Sequence, residues 1–312
     1  MKAKTSLLVA LALATLASTA SAQPAPAAAD QPQIQAAVPV MPQANGFVAV
    51  TARLNGIEGR FLLDTGARIT CVSRTQAARF GLEKDGEVSK SNGSAGATSV
   101  KQVAGNRLEW GGQPAASKLK VYLTDFSAIN HGLAEDGVAA VDGVIGMDVL
   151  RTQHAVLDYS RRQLRSGNAA MPSAEYEVLP LNPIGDAQLT VEGTINGVSG
   201  RFVLDSAAGG TLSTDDAHAA KFHLVKQPGS GKVEGIGGSV DSNIYLLDRL
   251  QLGPRFVMRQ EKVATFDLAG INAALKAKGE EEVDGLLGAG VLNRGEAILD
   301  MGQLQLQLKS SM

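Results

Sequence analysis

Two aspartates make the strongest case for chemistry in this chain. Asp64 ends the apolar run Phe61-Leu62-Leu63 and is followed by Thr65, Gly66 and Ala67; Asp205 ends Phe202-Val203-Leu204 and is followed by Ser206, Ala207 and Ala208. A charge buried at the end of a core strand is costly unless it is compensated. Two copies of one setting suggest that each Asp meets the other. Like charges in contact cannot both ionise easily, so such a pair shares one proton. One carboxyl then serves as general base on a water while the other, protonated, donates to a substrate carbonyl. The pair titrates as a unit, so the two roles are not assigned to Asp64 and Asp205 separately. Thr65 and Ser206 offer small hydroxyls that can tie the two loops together, and Gly66 allows close backbone approach.

The elements that must position this pair are themselves duplicated. Asn55-Gly56-Ile57-Glu58-Gly59-Arg60 leads into the first aspartate and Asn196-Gly197-Val198-Ser199-Gly200-Arg201 into the second, at an offset of 141. Farther on, Val141-Asp142-Gly143-Val144-Ile145-Gly146 returns as Val283-Asp284-Gly285-Leu286-Leu287-Gly288, and Leu157-Asp158 as Leu299-Asp300, at an offset of 142. A period this long is a domain duplication, because solenoid repeats run roughly 20–50 residues.

Within each copy the pattern predicts mostly strands. Residues 47–54 alternate apolar and polar, Asn55-Gly56 predicts a hairpin turn, and residues 60–63 return toward Asp64. Residues 69–72 are a further short strand, and Ser73 is expected to cap a short helix over 74–80 that Gly81 stops. The Gly- and Ser-rich stretch 91–98 is expected to be a mobile loop between two strands, with its counterpart at 234–239. Val144-Ile145-Gly146 leads into a short helix over 147–151, and 155–159 is a strand. Asp142, Asp158, Asp284 and Asp300 sit at turns and strand ends, where side-chain to backbone bonding suits them.

Composition narrows the function. The chain has 312 residues, 44% hydrophobic and 19% charged, which suits a packed core and two domains. Residues 1–22 read as a secretory signal: Lys2 and Lys4, an apolar run over 7–16, and Ala20-Ser21-Ala22 before the cut. That run is too short to span a bilayer, so no stable membrane insertion is expected after its removal. The remaining 27 basic and 31 acidic residues give a net charge of −4, which disfavours a nucleic-acid partner. Residues 23–37 form an Ala-, Pro- and Gln-rich tether, and the expected domains are 38–165 and 179–312, joined by 166–178. Cys71, the single cysteine, falls on Leu212 in the other copy and reads as a buried apolar residue.

Other sites lack their patterns. His131, His154, His218 and His223 show no metal-ligand spacing, so no metal and no cofactor is expected; His218 and His223 read as surface residues beside a short helix. Gly229-Ser230-Gly231-Lys232 lacks the spacing of a phosphate loop, and no Gly-x-Ser-x-Gly elbow is present.

Asp64-Thr65-Gly66-Ala67 after an apolar strand, the Gly-rich loop, and Asp142-Gly143-Val144-Ile145-Gly146-Met147-Asp148-Val149-Leu150 together resemble the bacterial retropepsin-like aspartic proteases. The resemblance covers both repeats. It implies an all-β fold of two retropepsin-like lobes in a bilobal, pepsin-like arrangement. It further implies flaps over a peptide cleft, here Gly93, Ala95 and Gly96 with Gly235, Ile236, Gly237 and Gly238. It implies hydrolysis of a peptide or protein substrate by one Asp from each lobe, Asp64 and Asp205, without a cofactor. Thr65, Gly66, Ser206 and Ala207 would support the two loops. The expected protein is an exported endopeptidase, periplasmic or secreted, whose single chain supplies both aspartates. Two alternatives stand beside it. Ala207 occupies the place of a family Gly, which suits a catalytically impaired relative that binds peptides. Two chains could instead pair Asp64 with Asp64 in a homodimer.

Overall fold

The computed structural model describes residues 6–8, 37–42, 46–83, 85–93, 95–167, 172–185 and 187–310. Of the expected leader, Ser6–Leu8 is a short strand lying parallel to Lys232, Val233 and Glu234; the Ala20-Ser21-Ala22 signal and nearly all of the tether fall outside the described residues.

Each repeat forms a β lobe around the strand that ends in its aspartate. Val48–Leu54 turns at Asn55, a left-handed residue with φ 53°, and pairs antiparallel with Ile57–Leu63. Gln188–Ile195 does the same through Asn196, φ 50°, with Val198–Leu204. Phe61 and Phe202 are fully buried and lie against Phe80 and Phe222 at ring-centroid distances of 5.9 and 5.8 Å. Truncating either ring to Ala costs about 3–5 kcal/mol and loosens the strand that delivers the carboxylate.

The later part of each repeat threads back beside the first. Gly143–Ile145 runs parallel to Phe61–Leu63 and antiparallel to Cys71 and Val72; Gly285–Leu287 makes the same two pairings in the second lobe. Asp64 N–H therefore bonds Ile145 O at 3.1 Å, and Asp205 N–H bonds Leu287 O at 3.0 Å. Gly146 and Gly288 follow, and each lets a short helix start against the aspartate loop. A Cβ at Gly146 would lie 2.6 Å from Ile69 backbone, and one at Gly288 2.5 Å from Ala208 O.

The lobes are joined by a six-stranded sheet to which both contribute. At its centre Ala155–Asp158 pairs antiparallel with Ile298–Asp300 in the register Val156 to Asp300, Leu157 to Leu299 and Asp158 to Ile298. Leu157 thus faces its own counterpart at the 142-residue offset, and the pairs on either side exchange places, which sets a two-fold relation between the lobes. One apolar core runs through this joint from Phe61 and Leu63 to Phe202, Leu204 and Leu299.

Several local expectations change. Ser73 makes no cap; its hydroxyl pairs with Thr75, and only Arg74–Gln76 is helical, as a 3-10 turn. Two helices enter that periodicity did not announce, Ser127–Glu135 and Ala269–Ala277. His218 is no loose surface residue, because Asp215 holds its Nδ1 at 2.7 Å and Asp284 approaches Nε2 at 3.4 Å, whereas His223 is exposed. The four repeated aspartates do bond backbone: Asp142 accepts from Arg60 N–H, Asp158 from Arg161, Asp284 from Arg201 and Asp300 from Gly302 and Gln303. Cys71 and Leu212 are both buried.

Candidate active site

The two strand ends meet where the lobes touch. Asp64 and Asp205 are wholly buried, and they are near enough that each acts on the other's ionisation. Each carboxyl uses one oxygen inward. Asp64 Oδ1 accepts from Gly66 N–H at 3.0 Å and Ala67 N–H at 2.8 Å, and Asp205 Oδ1 accepts from Ala207 N–H at 2.9 Å. Asp64 Oδ2 and Asp205 Oδ2 are buried and have no N–H or O–H donor among the described residues. Two buried carboxyl oxygens without other donors would be satisfied by a proton held between them.

The electrostatics agree with that sharing. Burial first, then the charge of Asp205, holds Asp64 well above the ordinary carboxylate range. Burial also raises Asp205, against the pull of its backbone N–H partners. The pair as a unit keeps one proton at a pH where an exposed carboxylate has lost it.

Thr65 and Ser206 lock the loops. Thr65 Oγ1 donates to Leu204 O at 2.8 Å and accepts from Ser206 N–H at 3.0 Å; Ser206 Oγ donates to Leu63 O at 2.6 Å and accepts from Thr65 N–H at 3.0 Å. All four bonds cross between lobes. Ala207, the departure from the family pattern, keeps the N–H bond that Gly66 makes in the other copy. Neither residue has positive φ, so alanine is unstrained there. Its methyl packs in a cluster with Ala67, Ile236 and Ala289.

Two supports were not legible beforehand. Gln188 Nε2 donates to Gly66 O at 2.8 Å, a buried bond from the second lobe to the first aspartate loop. Asp148 accepts from Thr70 Oγ1 at 2.8 Å and from Thr70 N–H at 3.1 Å, while Thr70 Oγ1 accepts from Gly146 N–H at 3.2 Å. That network braces the far end of the same loop. Their sequence neighbourhoods give no sign of it, since each partner is distant along the chain.

The Gly-rich stretches are hairpin tips, Glu87–Gly93 with Gly96–Trp110 and Val225–Gly235 with Gly238–Leu252. The tips meet. Ala95 N–H donates to Ile236 O at 3.0 Å, and a Cβ at Gly93 would lie 2.0 Å from that same oxygen. Ile236 is buried in the cluster that holds Ala67 and Ala207, so the second tip roofs the aspartate loops. Gly235 is buried, whereas Gly96 and Gly237 face solvent. Beside the tips lies a cavity of about 780 Å³, walled by Gly93, Ala95 and Gly96 on one side and by Asp215, Asp216 and Asp241 on the other. Asp64 and Asp205 are not in its wall.

No helix among the described residues is long and apolar enough to cross a membrane. Comparison with curated proteins returns no match. A family model described as aspartyl protease matches residues 50–149 and again residues 191–291. Those two matches take in more than half of the chain and both of its lobes, and the chain therefore belongs to the retropepsin-like aspartyl protease family, as a tandem duplicate.

Proposed function

We propose that the chain is an exported aspartic endopeptidase in which Asp64 and Asp205 share one proton and activate a water against a peptide carbonyl. The observation that carries this reading is the buried, donor-free pair Asp64 Oδ2 and Asp205 Oδ2. The ionised carboxyl takes a proton from water as the water oxygen attacks the carbonyl carbon; the protonated carboxyl gives its proton to the carbonyl oxygen. The resulting diol collapses when the carboxyl that took the water's proton gives it to the amide nitrogen; the C–N bond breaks as one diol hydroxyl passes its proton to the other carboxylate, which leaves one shared proton on the pair. Backbone N–H groups of Gly66, Ala67 and Ala207 hold the inner oxygens still, so little reorganises during the transfer.

Substrate is an extended peptide that lies under the two hairpin tips and pairs with them as a strand. The tips must part first, because the aspartates are wholly buried with the tips in contact. The acidic cavity beside the tips favours a cationic side chain in the substrate.

The test is cleavage of a diverse peptide library by the purified protein from acidic to neutral pH, beside Asp64→Asn and Asp205→Asn. Activity lost in both variants is the expected result. Loss in Asp64→Asn alone would point to pairing between two chains, and a folded protein inert at every pH would point to a peptide-binding module.

A further inference from the structure

The second hairpin tip rests only partly on its own lobe, against Ala207 and Ala289. It crosses to the helix Ser127–Glu135 of the first lobe, and Ile236 shares an apolar cluster with Ile129 and Leu133 of that helix. Beside this contact, His131 and Glu135 lie one turn apart on the helix with Nε2 and Oε1 3.7 Å from each other. Glu234, next to the tip, points its carboxylate at both, and one ligand atom from each of the three residues lies within 4.8 Å of the others.

Glu234 is the odd member. It is 6% exposed, and its Oε2 is buried with no hydrogen-bond partner among the described residues. An unsatisfied buried carboxylate oxygen is destabilising unless something positive meets it. Burial raises the pKa of Glu234, and His131 opposes that rise. The fold does not require the set: at the 142-residue offset, the helix positions are Ala273 and Ala277 and the hairpin position is Asn92.

We propose that His131, Glu135 and Glu234 form a divalent-cation site, best matched to zinc, that pins the second hairpin tip to the first lobe. One imidazole and two carboxylates are a zinc-type donor set that leaves a position for water. Ligand atoms on a tetrahedral zinc stand about 3.3–3.5 Å apart. The exposed His131 and Glu135 side chains reach that spacing by small rotations. Of the cations that act on Glu234, His131 is charged only when protonated and Lys232 makes no hydrogen bond to Oε2 among the described residues, whereas a metal takes the neutral imidazole. The tip strand also pairs with Ser6–Leu8 on its outer edge, at Glu234 itself, so the burial of Glu234 is that of the chain with its leader and the titration uses the full chain. Calling the cation a latch on substrate entry rests on the protease reading; its binding does not.

The experiment is zinc titration of the chelator-stripped protein against a chromophoric competitor, with cobalt as a spectroscopic stand-in. His131→Ala, Glu135→Gln and Glu234→Gln serve as variants, and their melting is followed to confirm folding. One site per chain is expected, weakened at least about tenfold in each variant, with the cobalt visible band lost in His131→Ala. Hydrogen exchange over residues 228–242 should slow on zinc addition in the unaltered protein only. Equal affinity in the protein and its folded variants overturns the site, whatever the cleavage result. Tight zinc binding without slowed exchange overturns the latch, and absence of peptide cleavage with zinc affinities as expected refutes only the protease reading.

Discussion

Thr65 and Ser206 occupy each other's loop: each hydroxyl donates to the backbone that precedes the other lobe's aspartate and accepts from the other's N–H. The exchange is closed, so no hydroxyl hydrogen or loop N–H in it is left over. It explains why both copies carry a small hydroxyl residue after the aspartate while differing in the residue that follows. Because the bonds run between lobes, they set the separation of the carboxyls.

Thr65→Val and Ser206→Ala are each expected to destabilise the protein by about 1–3 kcal/mol, since each leaves buried backbone groups without a partner. The double variant should lose less than the sum, because both residues belong to one network. Denaturant unfolding of the four proteins measures this. Peptide cleavage should fall further than stability does, as the carboxyl spacing drifts; an additive double variant with full activity would contradict the lock.

Burial raises both carboxyls, so the folded state holds protons more tightly than the unfolded chain. For acids raised in this way, stability is fully present below the unfolded value near 3.8 and is lost as pH rises through the folded values. Against the double variant Asp64→Asn/Asp205→Asn, the unaltered protein should lose about 1.4 kcal/mol per pH unit for each proton released. Melting temperatures of the two proteins should be closest near pH 4 and separate toward pH 8, with the double variant the more stable. A constant gap across that range would show that the pair ionises as ordinary carboxylates do.

Gly237 has φ +102°, and a Cβ there would lie 2.3 Å from Gly96 O. Gly237→Ala therefore strains its own backbone and pushes the two tips apart. The expected result is faster hydrogen exchange over residues 93–97 and 235–238, with kcat/KM for peptides reduced about tenfold or more. Global unfolding should change little, since the position is exposed at a hairpin tip. Unchanged exchange at the tips would remove their contact from any role in closure.

Much of this was readable because the chain states its framework twice. The Asn-turn hairpins, the apolar strands into Asp64 and Asp205, and the apolar-apolar-Gly segments each have a local pattern and a copy that checks it. The helices Ser127–Glu135 and Ala269–Ala277 are copies at the same offset, but neither has the local pattern. Neither has a side-chain cap of its own, and each follows an aspartate, Asp125 or Asp267, that bonds backbone two residues on, a turn signal. Ser73 shows the converse: a good capping residue whose hydroxyl was taken by Thr75. Gln188, Asp148 and the set of His131, Glu135 and Glu234 acquire meaning only when remote segments meet, and no spacing within one segment encodes that.

The cavity beside the hairpin tips yields a prediction about substrate. Of its acidic wall, Asp215 caps the helix Asp216–Lys221 and holds His218, Asp216 is taken by Asn243 and Tyr245, and Asp267 accepts from Ala269 N–H at the start of the next helix. Asp241 is exposed on the strand Gly238–Leu252 and lines the same cavity, so its charge can be removed without dismantling a support. Asp241→Asn is expected to raise KM about two- to fivefold for peptides carrying Lys or Arg, the range of one partly solvated ion pair, and to leave kcat and neutral peptides nearly unchanged. Added salt should shrink the difference, because screening weakens the interaction that the substitution removes. Paired assays of a Lys-containing peptide and its Gln analogue, at low and high salt, decide it; an equal KM change for both peptides would mean that Asp241 shapes the cavity and does not read charge.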